Sequence, residues 1–135
     1  MCHKLAQKDT DARWAKKNNE VHYGYKDHVK ADAESKLITD YAVTSANVHD
    51  SQALASLISD DDQVLYADSA YSGKEEKSKI RVRIEHIFGF MTVSMHGITL
   101  KSIGRVRAEF QIGLTNLIYN ICHFETLSRL KRAVE

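Results

Sequence analysis

The tightest constraint in this chain is an alternation. Between Val21 and Asp32, Tyr23, Tyr25, Val29 and Ala31 fall on one side, and His22, Lys26, His28 and Lys30 fall on the other. A period of two is that of a β-strand; a helix would scatter both sets around its circumference. The stretch therefore predicts a half-buried strand. Ala33 to Lys36 is polar and reads as a turn, and Leu37 to Thr44 is a second β-rich run. Together they predict an antiparallel hairpin. The polar stretch Lys8 to Glu20 reads as a loop, and residues 1–20 as a whole are expected to lie outside regular structure.

Beyond the hairpin the period lengthens. Asn47 to Ser51 offers helix-capping side chains, and Leu54, Leu57 and Ile58 follow at helical spacing before Ser59 and three aspartates, Asp60 to Asp62. Val64 to Ala67 is a short apolar run that stops at Asp68. This reads as a buried strand with a carboxylate at its C-terminal end, the edge at which α/β sheets bind ligands. The alternative for Asp68 is to cap the next turn. Ile80, Ile84, Ile87 and Met91 then keep a helical stripe, with Arg81 and Glu85 one turn apart on its flank. A last long helix is expected from about Ser102. Val106, Phe110, Leu117, Ile121 and Phe124 share one of its faces, which reads as core, with a partner-binding stripe as the alternative. The sum is one α/β domain over residues 1–135, with about three strands (the hairpin plus one buried strand) and about three helices.

Charge is distributed unevenly. The formal net charge is +1, yet Met1 to Glu76 holds 9 basic and 14 acidic residues, and Lys77 to Arg107 holds 7 basic residues and one acid, Glu85. The cationic block reads either as a solvated helix face or as a nucleic-acid surface that keeps one carboxylate for a purpose. Lys79, Arg83, Lys101, Arg105 and Arg107 are its candidate DNA contacts. No apolar run approaches the ~20 residues that span a bilayer, and Met1 to Lys8 lacks a signal-peptide core, so a cytoplasmic location is the default. Cys2 and Cys122 stand apart, and the seven histidines are scattered. Neither a disulfide framework nor a zinc site is expected.

A strand-end Asp and a helical Glu in a cationic segment suit phosphodiester chemistry. Two divalent ions can activate the attacking oxygen and stabilise the leaving one, and hard ions such as Mg²⁺ take carboxylate oxygens. The wording around these residues goes further. Asp11–Lys17 (DARWAKK), Tyr23–Val29 (YGYKDHV), Val43–Gln52 (VTSANVHDSQ), Tyr66–Tyr71 (YADSAY) and Arg81–Phe90 (RVRIEHIFGF) occur in order, and Gly113–Asn120 (GLTNLIYN) is a looser continuation. In these blocks the chain resembles the DDE transposases of bacterial insertion sequences, the branch with an RNase H-like catalytic domain. The likeness runs from about Asp9 to His123.

The resemblance implies an incomplete RNase H-like fold. It also implies a Mg²⁺- or Mn²⁺-dependent enzyme that cleaves DNA at insertion-sequence ends and transfers the exposed 3′-hydroxyl to target DNA. Asp68 takes the place of the second catalytic acid and Glu85 that of the third; both would bind metal. Tyr71 would pack near them, and Arg81 would orient Glu85 or touch DNA. Asp50, in the V-H-D block, is expected to start a helix. The partners implied are insertion-sequence ends and target DNA at the bacterial nucleoid, a second copy, or an intact transposase. Three departures stand beside the match. The family's first acid lies on a strand before the block matched by Asp9–Lys17, and Cys2 to Lys8 does not read as that strand. The connection between Tyr71 and Arg81 is short. Ser78 and Thr92 depart from the extended signature. The expectation is an incomplete copy, active or recently so, with a catalytically inactive remnant as the alternative.

Overall fold

The computed structural model describes residues 8–59, 87–95 and 99–134. Three antiparallel strands form one sheet in the order β1-β2-β3: β1 Arg13–Lys17, β2 Glu20–Ala31 and β3 Ile38–Ser45. The helices are α1, Asp50–Leu57, the described part of α2 over 87–94, and α3, Arg105–Val134. This is a mixed α/β architecture consistent with a partial RNase H-like fold.

The alternating stretch is β2, and it pairs with β3 from Tyr25 opposite Ser45 to Ala31 opposite Ile38, with one register shift at Lys30/Ala31. The turn between them is held by one side chain. The Asp32 carboxylate accepts from the Glu34 and Ser35 amides and from the Ser35 hydroxyl. These bonds, the Ser35 hydroxyl foremost, keep its carboxyl below the usual range.

The stretch read as a loop contains β1, which corrects that expectation. Asn18 and Asn19 both take positive φ, 50° and 68°, as a two-residue hairpin turn requires, and asparagine tolerates that conformation better than most side chains. The turn sets Lys17 against Glu20 and Trp14 against Tyr23. Alternation was masked here because almost every side chain of β1 faces solvent. Gly24 then marks where β2 changes partners. Residues up to it pair with β1, its carbonyl accepts from the Ala46 amide, and its φ of +153° is one that L side chains rarely adopt.

Beyond Gly24 the two faces of the β2–β3 pair receive different helices. On one, Lys26 donates to the Val48 carbonyl and to Asp50 of α1 at 2.8 and 2.9 Å, and His28 Nε2 lies 2.8 Å from Thr44 Oγ1. On the other, α3 lays Asn116 against Asp27. One turn on, the Asn120 amide closes both backbone groups of Ile38, at 2.8 and 2.7 Å. Tyr119 donates to the Lys36 carbonyl. The core at this end joins Ile38, Ile87, Met91 and Tyr119, with Val29, Ala31, Phe88, Phe90 and Met95 packed against them.

The face of α3 expected to be core is not the buried one. Val106, Phe110, Leu117, Ile121 and Phe124 are 54–79 % exposed, whereas Ala108, Ile112, Asn116 and Tyr119 are buried. The sheet offers polar groups that need partners: the Ile38 backbone and the Lys36 carbonyl. Leaving such groups unpaired in a low-dielectric interface costs about 1–3 kcal/mol each. The helix therefore turns its Asn- and Tyr-bearing face inward. Gly113 completes the fit, since a Cβ there would lie 2.1 Å from the Tyr41 hydroxyl.

Candidate functional site

Two aspartates that the sequence reading left without a role tie the chain's first described loop to the start of α3. The Asp9 carboxylate accepts from the Asp11 and Ala12 amides, from the Tyr25 hydroxyl, and from the Gly104 amide at 3.0 Å. The Arg105 amide donates to Asp11 at 3.2 Å. Carboxylates are favourable at this place because a helix N-terminus presents unpaired N–H groups and partial positive charge. Burial works to raise the Asp9 pKa, but the bonds from Gly104, Tyr25, Asp11 and Ala12 outweigh it and hold the carboxyl below its ordinary value. In return, burial and the Asp9 charge push the Tyr25 phenol well above its ordinary range. The D-x-D spacing before a strand was the available signal. Its partner lies more than 90 positions away, where no local pattern points.

With four donors on Asp9, little lone-pair capacity remains for a metal ion. Among the described residues no group of three or more His, Cys, Asp or Glu side chains is arranged to hold one. Asp68 and Glu85, with Tyr71, Arg81, Lys79 and Arg83, lie outside the described residues. Asp50 stands in the first turn of α1, the helix-start position expected of it. Its carboxyl is partly buried, which raises its pKa, but the Lys26 hydrogen bond and charge, with His28 and His49, bring it below the usual value.

Three of the expected DNA contacts are described, and they differ. Lys101 and Arg107 are exposed and make no side-chain hydrogen bond or ion pair among the described residues. Arg105 is exposed as well but committed: its Nε donates to Glu109 at 2.8 Å, one helical turn on, and its Nη2 reaches the Val43 carbonyl. It fixes the start of α3 to β3 and is a weaker candidate for a phosphate than its two neighbours.

One further acid stands out. Among the described residues, Asp27 Oδ2 and Asn116 Oδ1 are both buried without a hydrogen-bond partner, while the Asn116 amide donates to Asp27 Oδ1 at a long 3.4 Å. Burial pushes the Asp27 carboxyl up to about 6, and the bond from Asn116 pulls it back only in part. This pair sits between β2 and α3 and is a strained element of the packing. A lone carboxyl facing an amide provides one charge at most, too little for a two-metal centre.

A family model described as Transposase DDE domain matches residues 2–76, just over half of the 135-residue chain. The matched span contains β1, β2, β3, α1, Asp68 and Tyr71, and it ends before Arg81 and Glu85. No solved structure matches the chain.

Proposed function

The chain belongs to the transposase DDE-domain family, and from that premise we propose that it acts on DNA in the transposition of a bacterial insertion sequence. The observation that carries this reading is the family match itself. It runs through the hairpin and α1 to the block holding Asp68. In this reading Asp68 and Glu85 are the catalytic acids, and they would hold Mg²⁺ or Mn²⁺. When bound, the metal supplies activation of the attacking oxygen and stabilisation of the leaving one. Arg81 and Tyr71 support the acids. Lys79, Arg83, Lys101, Arg105 and Arg107 contact the DNA backbone, with Arg105 acting chiefly through the position it gives α3. The protein works at the nucleoid, in the cytoplasm; no helix among the described residues is long and apolar enough to cross a membrane.

A second reading, an inactive copy that binds DNA or associates with an intact transposase, is favoured by the outer face of α3. Phe110, Leu114, Leu117, Ile121 and Phe124 are 46–73 % exposed and follow one another at steps of 4, 3, 4 and 3 residues, the spacing of a helix–helix seam.

One experiment separates the two. The purified chain is incubated with supercoiled and linear DNA in Mg²⁺ and in Mn²⁺, and both binding and strand cleavage are measured. Both readings expect DNA binding that weakens on the order of tenfold or more between about 50 and 200 mM salt; the first expects strand cleavage as well, and binding with little or no cleavage would favour the second. Robust cleavage that disappears in Asp68→Ala and Glu85→Ala would establish the enzyme and remove the second reading. Binding indifferent to salt would refute the backbone-contact assignment.

A further inference from the structure

The β1–β2 ribbon has a surface that nothing above employs. From Arg13 to Gly24 it is two strands thick, and every side chain in it except Ala15 and Gly24 is exposed. Its five paired positions give a projection of roughly 16 Å at the usual strand rise. By register, Trp14, Lys16, Val21 and Tyr23 share one face. Trp14 and Tyr23 form a tilted cross-strand pair with centroids 4.9 Å apart. Such a pair steadies a hairpin that lacks a covering layer. It does not consume the indole, however, which remains 64 % exposed, the tyrosine being 40 % exposed.

Charge decides what this face fits. The ribbon carries Arg13, Lys16 and Lys17 against a single acid, Glu20, within an N-terminal region where acids outnumber bases. Glu20 is met by His22 at 3.6 Å. The Arg13 guanidinium is taken by the Thr10 and Ala12 carbonyls. On the face that carries Trp14, Lys16 has no acid partner among the described residues, in contrast with Lys26 of the same sheet, which is locked to Asp50; Lys17 stands opposite Glu20 on the other face. An exposed aromatic platform with a neighbouring unpaired ammonium on one strand face has the two groups that single-stranded nucleic acid requires: a ring for a base and a cation for its phosphate.

We propose that the β1–β2 ribbon is a DNA-contact arm, in which Trp14 stacks on a base of a single-stranded or frayed segment while Lys16, on the same face, holds its phosphate. The proposal rests on the reading that the chain acts on DNA. It adds a surface separate from the cationic block, on the acidic half of the chain.

Trp14 is the only tryptophan, so its fluorescence reports on this site alone. The full chain is titrated with three labelled DNAs: a single strand, a duplex with a single-stranded overhang, and a blunt duplex. Trp14 emission and label anisotropy are followed together. The single strand and the overhang should quench Trp14 and bind at least about fivefold tighter than the blunt duplex. Lys16→Ala should weaken binding about threefold and reduce the slope of log K against log salt by about 0.7, the share of one phosphate on a single strand. Trp14→Ala should lose affinity on the order of tenfold. Trp14→Phe, which retains a stacking ring and the cross-strand pair, should stay within about threefold, with circular dichroism confirming the fold. If the DNA binds while Trp14 emission and the lysine variant stay unchanged, the arm is refuted and DNA recognition falls to the other cations. If none of the three DNAs binds, the arm and the transposition reading fail together.

Discussion

One strand of this protein lives in two environments. From Tyr25 to Ala31, β2 is paired with β3 and has α1 on one face and α3 on the other. From Glu20 to Gly24 it pairs with β1, and no described element covers either face. The backbone hydrogen bonding is similar in both halves; the fate of the side chains is not. In the covered half, Lys26 is fixed between Val48 and Asp50, and Asp27 sits against Asn116 with one oxygen lacking a donor among the described residues. In the bare half and its partner β1, Lys16, Lys17 and most of Trp14 face water. Residue type therefore says little about role here. The covering layer decides whether a lysine is a brace or a contact.

Matched substitutions can break or sharpen that contrast. The largest effect is expected for aromatic truncation. Tyr119→Ala removes a side chain that is fully buried, meets Phe90 edge-on and stacks on His123. It should cost about 3–5 kcal/mol in a urea denaturation series. Trp14→Ala on the bare ribbon should cost no more than about 1 kcal/mol. Equal losses at the two sites would mean that the ribbon is packed as firmly as the core.

The next effect depends on pH. Burial raises the folded-state carboxyl of Asp27 from 3.8 to about 6. A raised carboxyl favours the protonated form in the native state. Its stabilising contribution is thus complete below pH ~3.8 and is lost as pH rises through about 6. Asp27→Asn removes that penalty and offers the unpaired Asn116 oxygen a donor. The variant should be more stable than the parent by about 1–2 kcal/mol at pH 7.5, a figure discounted for the side chain's partial exposure. The advantage should shrink towards zero by pH 4, as followed by paired urea melts. An advantage independent of pH would show that shape, not charge, governs this contact.

The smallest contrast is between two lysines. Lys26→Ala breaks a partly exposed ion pair and a bond to a backbone carbonyl, and should cost about 0.5–1 kcal/mol. Lys16→Ala should change stability by less than about 0.5 kcal/mol. A thermal-melt comparison in which Lys16→Ala is the more damaging would overturn the division at Gly24.

Legibility in the sequence followed the range of the interaction concerned. The β2–β3 hairpin was read correctly because its alternation and its turn are local. The helix from about Ser102 was found from its period, but the wrong face was assigned to the interior. Phe110, Leu117 and Phe124 are the more hydrophobic set. The period shows that a face exists, whereas burial requires a surface to meet it. β1 was missed because an exposed two-stranded ribbon has no interior to impose alternation. The anchoring of α3 by Asp9 and Asp11 was missed because its partners lie across nearly the whole chain.

The sequence by itself determined the family, through ordered blocks that are chemical wording rather than shape. It also determined the elements whose stabilising contacts lie within a turn or a hairpin, where periodicity carries the information. Tertiary structure alone decided which polar groups needed partners and which helix face supplied them. Tyr119 and Asn120 turn inward because the Lys36 carbonyl and the Ile38 backbone would otherwise be desolvated without hydrogen bonds, and Asn116 on the same face comes to lie against Asp27. That requirement appears only once the sheet exists, which is why hydrophobicity along the helix pointed to the opposite face.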